Sequence, residues 1–240
     1  IDLAGFPNDV YYMYQSQWTK KDVLHLFPHW NWLPGQTVDM WCYYNNADEA
    51  ELYVNGKSQG IRRKSAPEPQ EEWYRLHNRL CLDSTEFHVG WRVKYEPGEV
   101  KVVARKNGRV MRSEVIRTAG APDHIRLVVD YDGRKLDKGI DRPMADGSKV
   151  SRQHLVFVNA EVVDKDGNVC PDADNQIFFS VDGATIAGVD NGSESSLERF
   201  KADNRRAMFG KCMVIVAPKE GAAVSLKARA VGLHDATINF

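Results

Sequence analysis

The sequence predicts an all-β protein of two tandem immunoglobulin-like antiparallel β-sandwiches, and three observations carry that expectation. Asn-Gly or Asp-Gly pairs recur at Asn55, Asn107, Asp132, Asp146, Asp166, Asp182 and Asn191, and such pairs accept the positive φ angles of tight hairpin turns. Between them apolar residues alternate with period two, as in Ala50, Leu52, Val54; Val100, Val102, Ala104; and Val156, Val158, Ala160, Val162. Each such run has one apolar face, which suits a sheet covered on one side by a second sheet. The third observation is a break in composition. All six Trp fall before residue 92, and the small-residue stretch TAGAP follows at Thr118 to Pro122, so sandwiches are expected over 23–118 and 122–240.

In order, the first sandwich is expected to have strands near 23–27, 36–44, 50–55, 86–95, 99–106 and 109–117, with KSAPEPQEEW as a mobile loop. The second is expected to have strands near 123–130, 154–164, 176–181, 184–189, 207–217, 222–231 and 234–240. Residues 1–22 break the pattern. Asn8 can cap a helix begun by Asp9, and Tyr11, Tyr14 and Trp18 then share a face at i, i+3, i+7. That aromatic face is expected to pack back onto the first sandwich or onto a second copy of the chain, with mobility of residues 1–20 as the alternative.

Charge and composition exclude several classes. Basic and acidic residues number 32 and 33, a formal net charge of -1, so nothing draws in nucleic acid. No apolar run approaches the roughly 18 residues of a membrane span. Four cysteines, Cys42, Cys81, Cys170 and Cys212, lie far apart without a Cys-x-x-Cys pair, and are read as buried free thiols. The order Cys42, Trp73, Cys81 sets the Trp too close to the second Cys for the antibody-type arrangement, so no inter-sheet disulfide is expected.

Chemistry-bearing patterns are sparse. A retaining glycosidase needs two carboxyl groups roughly 5 to 5.5 Å apart, whereas Asp48-Glu49-Glu51 and Glu71-Glu72 read as solvated charge in turns or loops. Asp164, Asp166 and Asn168 superficially resemble a calcium loop but lack the spacing and distal Glu of an EF-hand, so a hairpin turn over 163–169 is favoured. Asn191 opens a glycosylation-type Asn-Gly-Ser. His25 and His29 do not share a helix face and are not read as a metal pair; no metal site or cofactor is expected. Neither a Gly-x-Ser-x-Gly elbow nor a phosphate loop is present. The one stretch with functional tension is PHWNW, where Trp30 and Trp32 project to the same side of an extended chain. They form a candidate sugar-stacking pair, weighed against burial on a neighbouring domain or closure of the sandwich end.

The stretches IDLAGFPNDVYYMYQSQW, VLHLFPHWNW, YYNNADEAELYVNGKSQG and WRVKYEPGEVKVVARKNG resemble successive landmarks in the C-terminal part of bacterial glycoside hydrolase family 2 enzymes of the Bacteroides β-galactosidase type. FVNAEVVDKDGNVCPDADNQIFFSVDGATIAGVDNGS, ESSLERFKADNRRAMFGKCMVIV and LKARAVGL continue the likeness into the family's terminal immunoglobulin-like domain. The resemblance implies that residues 1–22 are the last loop and helix of a (β/α)8 catalytic barrel, making Ile1 a cut rather than a beginning. It further implies that 23–118 and 122–240 are the family's fourth and fifth domains. In that family the catalytic glutamates lie in the barrel, one within an Asn-Glu pair. This sequence has no Asn-Glu dipeptide, so no catalytic residue carries over and the chain is expected to be inactive alone. The stretch Gly133 to Gln153 is longer than the family's usual turn.

The implied function is a structural, buttressing role in a retaining hydrolase of carbohydrate breakdown. The implied partners are the catalytic barrel of the same enzyme, galactoside-containing glycans through that parent, and a homodimer among the permitted assemblies. The implied location of the parent is periplasmic or secreted. The alternatives are a carbohydrate-binding module that stacks sugars on Trp30 and Trp32, and an adhesin-like spacer, which the unlike Trp content of the two halves disfavours.

Overall fold

The computed structural model describes residues 1–65, 84–136 and 154–240. Trp73, Cys81, Glu71-Glu72, most of the KSAPEPQEEW loop and residues 137–153 lie outside the described residues. The chain divides into two compact units, one of Pro7–Thr118 with Ile1, the other of Ala119–Phe240 with Asp2–Phe6.

The first unit opens with helix α1 (Asp9–Trp18), followed by β1 (Leu24–Phe27), β2 (Thr37–Tyr44), β3 (Glu49–Val54), β4 (Lys57–Arg62), β5 (His88–Lys94), β6 (Glu99–Lys106) and β7 (Arg109–Arg117). They form an antiparallel sheet of order β1-β2-β5 and a second of order β4-β3-β6-β7. The period-two pattern now has its cause. Leu24, Leu26, Val38, Met40, Val89, Trp91 and Val93 from one sheet meet Ala50, Leu52, Val54, Val100, Val102 and Ala104 from the other in one buried core. Trp91 is buried within it, and its indole N–H donates to the Gly60 carbonyl at 2.9 Å.

Turn chemistry sets the register. Asn55 and Gly56 at φ 48° and 79° join β3 to β4, and Asn107 and Gly108 at φ 49° and 76° join β6 to β7. Asn55 also ties down the start of β6, because its Oδ1 accepts from Glu99 N at 2.8 Å while its Nδ2 donates to Pro97 O at 3.2 Å. Gly98 leaves room for it, because a Cβ there would lie 2.1 Å from that oxygen.

The second unit contains β8 (His124–Asp132), the single-turn helix α2 (Gly133–Leu136), β9 (Val156–Val163), β10 (Gln176–Asp182), β11 (Ala184–Asp190), β12 (Asn204–Arg206), β13 (Lys211–Pro218), β14 (Ser225–Arg229) and β15 (Ala236–Asn239). Its sheets run β12-β10-β14-β15 and β11-β13-β9-β8. Val156, Val158, Ala160 and Val162 of β9 with Cys212, Val214 and Val216 of β13 bury against Ile177, Phe179, Leu226 and Ala228 of the other sheet. Both units are antiparallel β-sandwiches. Strands β4 and β12 were not expected; Lys57–Arg62 lacks an apolar alternation because neither face of this edge strand is dry, and Asn204–Arg206 is too short to show one.

Cys42, Cys170 and Cys212 are free and buried, and burial pushes all three thiols up. The second unit also buries polar anchors. Arg205 is wholly buried, donating from Nη2 to Asn191 Oδ1 at 2.9 Å and from Nη1 to Glu198 O at 3.2 Å, with Asp190 Oδ1 at 3.4 Å. Asp164 is 2% exposed and closes the 163–169 hairpin, accepting from the backbone N–H of Gly120, Asp166 and Asn168 at 2.8, 3.0 and 2.8 Å and from Asn168 Nδ2 at 3.0 Å. Burial alone would raise its pKa from the ordinary 3.8, but these donors outweigh burial and hold it at about 2.

A depressed pKa contributes stability that is present above the unfolded value and lost as pH falls through the folded one. The second unit is therefore expected to lose stability between about pH 4 and pH 2, and Asp164→Asn to flatten that part of the profile in acid-titrated thermal melts. At pH 7 Asp164→Ala is expected to cost about 1–3 kcal/mol for the stranded donors, read by urea denaturation.

Candidate functional site

The most distinctive surface feature is built on α1. Asn8 caps the helix by accepting from Tyr11 N at 3.1 Å, and Asp9 lies in its first turn. Asp9 Oδ1 lies 2.8 Å from His25 Nε2, and the Tyr12 ring stacks on the same imidazole with centroids 3.8 Å apart at 17°. The stack continues through Phe27 at 5.5 Å to Tyr43 at 4.8 Å. Behind His25 lies Glu114, its Oε1 3.9 Å from Nδ1 and its Oε2 accepting from Leu26 N at 3.1 Å. Burial raises the Glu114 carboxyl above its ordinary pKa, against the opposing pull of His25 and Leu26. One turn on, Ser16 is buried and its carbonyl accepts from Asn45 Nδ2 at 3.3 Å.

This seat corrects one branch of the expectation, that the Tyr11, Tyr14 and Trp18 face packs on the first sandwich. Tyr12 and Ser16 face the first sandwich, with Asp9, half exposed, bonded to His25 at the rim, whereas Tyr11, Tyr14 and Trp18 are 40%, 45% and 78% exposed. Tyr14 and Trp18 hold each other at 4.7 Å, with Val10 also exposed nearby in sequence. Ranking faces by apolar content misjudged the docking, because the sandwich presents His25 and Asn45, which a mixed polar and aromatic face matches better. The signal for the true face was Asp9, Tyr12 and Ser16 at i, i+3, i+7.

The other sequence candidates resolve one by one. Trp30 is 0% exposed; its Nε1 donates to Glu96 O at 3.1 Å and its ring meets Tyr95 edge-on at 5.1 Å, so it presents no indole face to a sugar. Trp32 is half-buried, stacked on His29 at 4.7 Å and donating to His29 O at 2.8 Å. The structure thus separates the two indoles by environment. Glu49 and Glu51 lie on strand β3 rather than in a turn; Glu49 pairs with Arg63, and Glu51 with Arg105 at 2.7 Å. Asp48 accepts from Asn107 N at 2.7 Å. Asn191 is 5% exposed with its amide committed to Arg206 O, Ser193 N and Arg205, which leaves no nitrogen accessible for a glycan. Among the described residues no group of three or more His, Cys, Asp or Glu could hold a metal ion, and no helix is long and apolar enough to cross a membrane.

Two antiparallel β-sandwiches, the first carrying a short helix, define an all-β class of protein. Residues 144–239 match the family model described as glycoside hydrolase family 2 C-terminal domain 5, and residues 35–112 match a domain of unknown function. The beta-galactosidase BoGH2A of Bacteroides ovatus is 51% identical over 243 residues, covering 100% of this chain and 25% of that protein. A putative beta-glucuronidase of Formosa agariphila is 31% identical over 234 residues, covering 94% of this chain and 20% of its own length. A crystal structure of a beta-glycosidase from Bacteroides vulgatus superposes with a TM-score of 0.79 at 25% identity, over 100% of this chain and 27% of that one. A glycoside hydrolase family 2 member from Bacteroides cellulosilyticus gives 0.76 at 25%, over 100% and 31%. Residues 144–239 thus belong to the C-terminal domain 5 family of glycoside hydrolase family 2, and the chain spans about a quarter of the length of the first of these curated relatives.

Burial separates the two indoles in stability as well. Trp30→Ala is expected to destabilise the first unit by roughly 3–5 kcal/mol and Trp32→Ala by about 1 kcal/mol, both read from urea unfolding followed by circular dichroism.

Proposed function

We propose that this chain is a non-catalytic, buttressing region of a retaining glycoside hydrolase of the β-galactosidase type, in which α1 joins the sandwiches to the catalytic barrel. The observation that carries the proposal is the two-faced helix: Asp9, Tyr12 and Ser16 are seated on the first sandwich, and Tyr11, Tyr14 and Trp18 stand in solvent. Such an aromatic face is costly to expose and marks a surface that another body covers. The division into an N-terminal remnant over 1–22 and sandwiches over 23–118 and 122–240 belongs to the same proposal, as does a periplasmic or secreted parent. The β-galactosidase assignment draws its support from the 51% identical relative of that name.

Catalysis would then reside in a carboxylate pair elsewhere in the parent. The 240-residue chain is expected to give no turnover of a nitrophenyl galactoside, and the reading frame ahead of the Ile1 codon is expected to encode several hundred residues with an Asn-Glu pair on a barrel strand. Turnover abolished by mutating an acid of this chain, or a stop codon immediately ahead of Ile1, would refute the proposal.

A further inference from the structure

The outward face of the sheet β4-β3-β6-β7 is not the uniform solvated surface that its charges suggest. A groove of about 440 Å³ lies on it, within the size range of small-molecule sites. Three cross-strand pairs build it: Tyr53 opposite Lys101, Val103 opposite Ser113, and Arg105 opposite Val110. Val103 is 7% exposed although it faces away from the core, so the groove has an aliphatic floor between polar walls.

Those walls are fixed in place. Tyr53 Oη donates to Glu51 Oε2 at 2.5 Å and accepts from Arg105 Nη2 at 3.0 Å, while Arg105 Nη1 donates to Glu51 Oε2 at 2.7 Å. Ser58 Oγ donates to the other Glu51 oxygen at 2.7 Å. Side chains already held in one arrangement lose little freedom when a ligand arrives. The charges also sort themselves. Glu51 is neutralised by Arg105, and Glu99 at the groove's end by Arg117 at 3.0 Å. Lys101 pairs with no carboxylate among the described residues and is the cation left over.

This combination selects a ligand chemistry. A wholly apolar ligand would desolvate Lys101, Arg105 and Ser113 without return. A phosphomonoester, carrying about −1.5 to −2 at pH 7, would meet one uncommitted cation, whereas a carboxylate or sulfate monoester carries the single charge that one cation balances. A sugar ring has a C–H face for Val103 and Val110 and hydroxyls for the rim, and an acidic substituent would complete Lys101. We propose that the groove binds an acidic saccharide, one bearing a carboxylate or a sulfate, with its ring on Val103 and Val110 and its anion on Lys101. The site lies within the first sandwich and stands independently of the buttressing role of α1.

The test is calorimetric titration of the full 240-residue chain, at physiological ionic strength, with three trisaccharides: one containing glucuronate, one sulfated, and neutral galactotriose. Saturable binding of at least one acidic sugar is expected with Kd of about 0.1–1 mM, at least about tenfold tighter than the neutral one; which acidic sugar binds tells carboxylate from sulfate. Lys101→Met, an exposed-face substitution whose fold is checked by its melting curve, is expected to erase that preference. Tyr53→Phe keeps the ring and removes the hydroxyl that ties Glu51 to Arg105, and is expected to weaken binding severalfold. Absence of saturable binding by either acidic sugar at about 10 mM, equal affinity for galactotriose, or unaltered binding by Lys101→Met overturns the proposal.

Discussion

The contact between α1 and His25 decides which surface the first unit offers to its surroundings. One imidazole meets the Tyr12 ring on its face, Asp9 at Nε2 and Glu114 on the far side. Because residues at i, i+3 and i+7 share a helical face, seating Asp9, Tyr12 and Ser16 turns Tyr11, Tyr14 and Trp18 outward. A helix of ten residues is too short to persist in water on propensity alone. The seat is therefore what makes the exposed aromatic ridge a defined surface, and the proposed buttressing role depends on that ridge.

The second unit shows the same economy with buried polar groups. Asp164 gathers donors from the Gly120 strap and its own hairpin, and Arg205 gathers acceptors from Asn191 and Glu198. The Asp164 carboxylate is well supplied with donors. Arg205 Nε, by contrast, has no hydrogen-bond partner among the described residues and lies 3.6 Å from Glu198 Oε2, so its cluster is only partly satisfied. Each cluster holds an irregular segment against a core of small and branched side chains such as Val158, Ala160 and Val214, so the loops are positioned by polar anchors and the sheets by apolar alternation.

Much of the fold was legible in the sequence because the signals were local. Alternating Val100, Val102 and Ala104 can bury only one face, and Asn55-Gly56 and Asn107-Gly108 turn the chain where they occur. Edge strands β4 and β12 escaped, since an edge open to solvent imposes no apolar period. The candidate site was less legible. Choosing the docked face of α1 needed the location of His25, sixteen residues from Asp9 in sequence and in another element. Trp30 and Trp32 look equivalent in PHWNW, yet the Glu96 carbonyl and Tyr95 ring that bury one of them come from a strand end far along the chain. The groove over Val103 was invisible for the same reason, because it assembles Tyr53, Lys101 and Arg105 only after β3 and β6 pair in register.

If α1 joins the sandwiches to a barrel, its Tyr11, Tyr14 and Trp18 face is bare in this chain and covered in the protein that contains it. Hydroxyl-radical footprinting with mass mapping of Trp18 measures that directly, comparing the 240-residue chain with the longer polypeptide. Rapid oxidation of Trp18 is expected in the chain and at least about tenfold protection in the longer protein, while buried Trp30 reacts slowly in both. Equal, rapid oxidation of Trp18 in the two proteins would contradict the buttressing role.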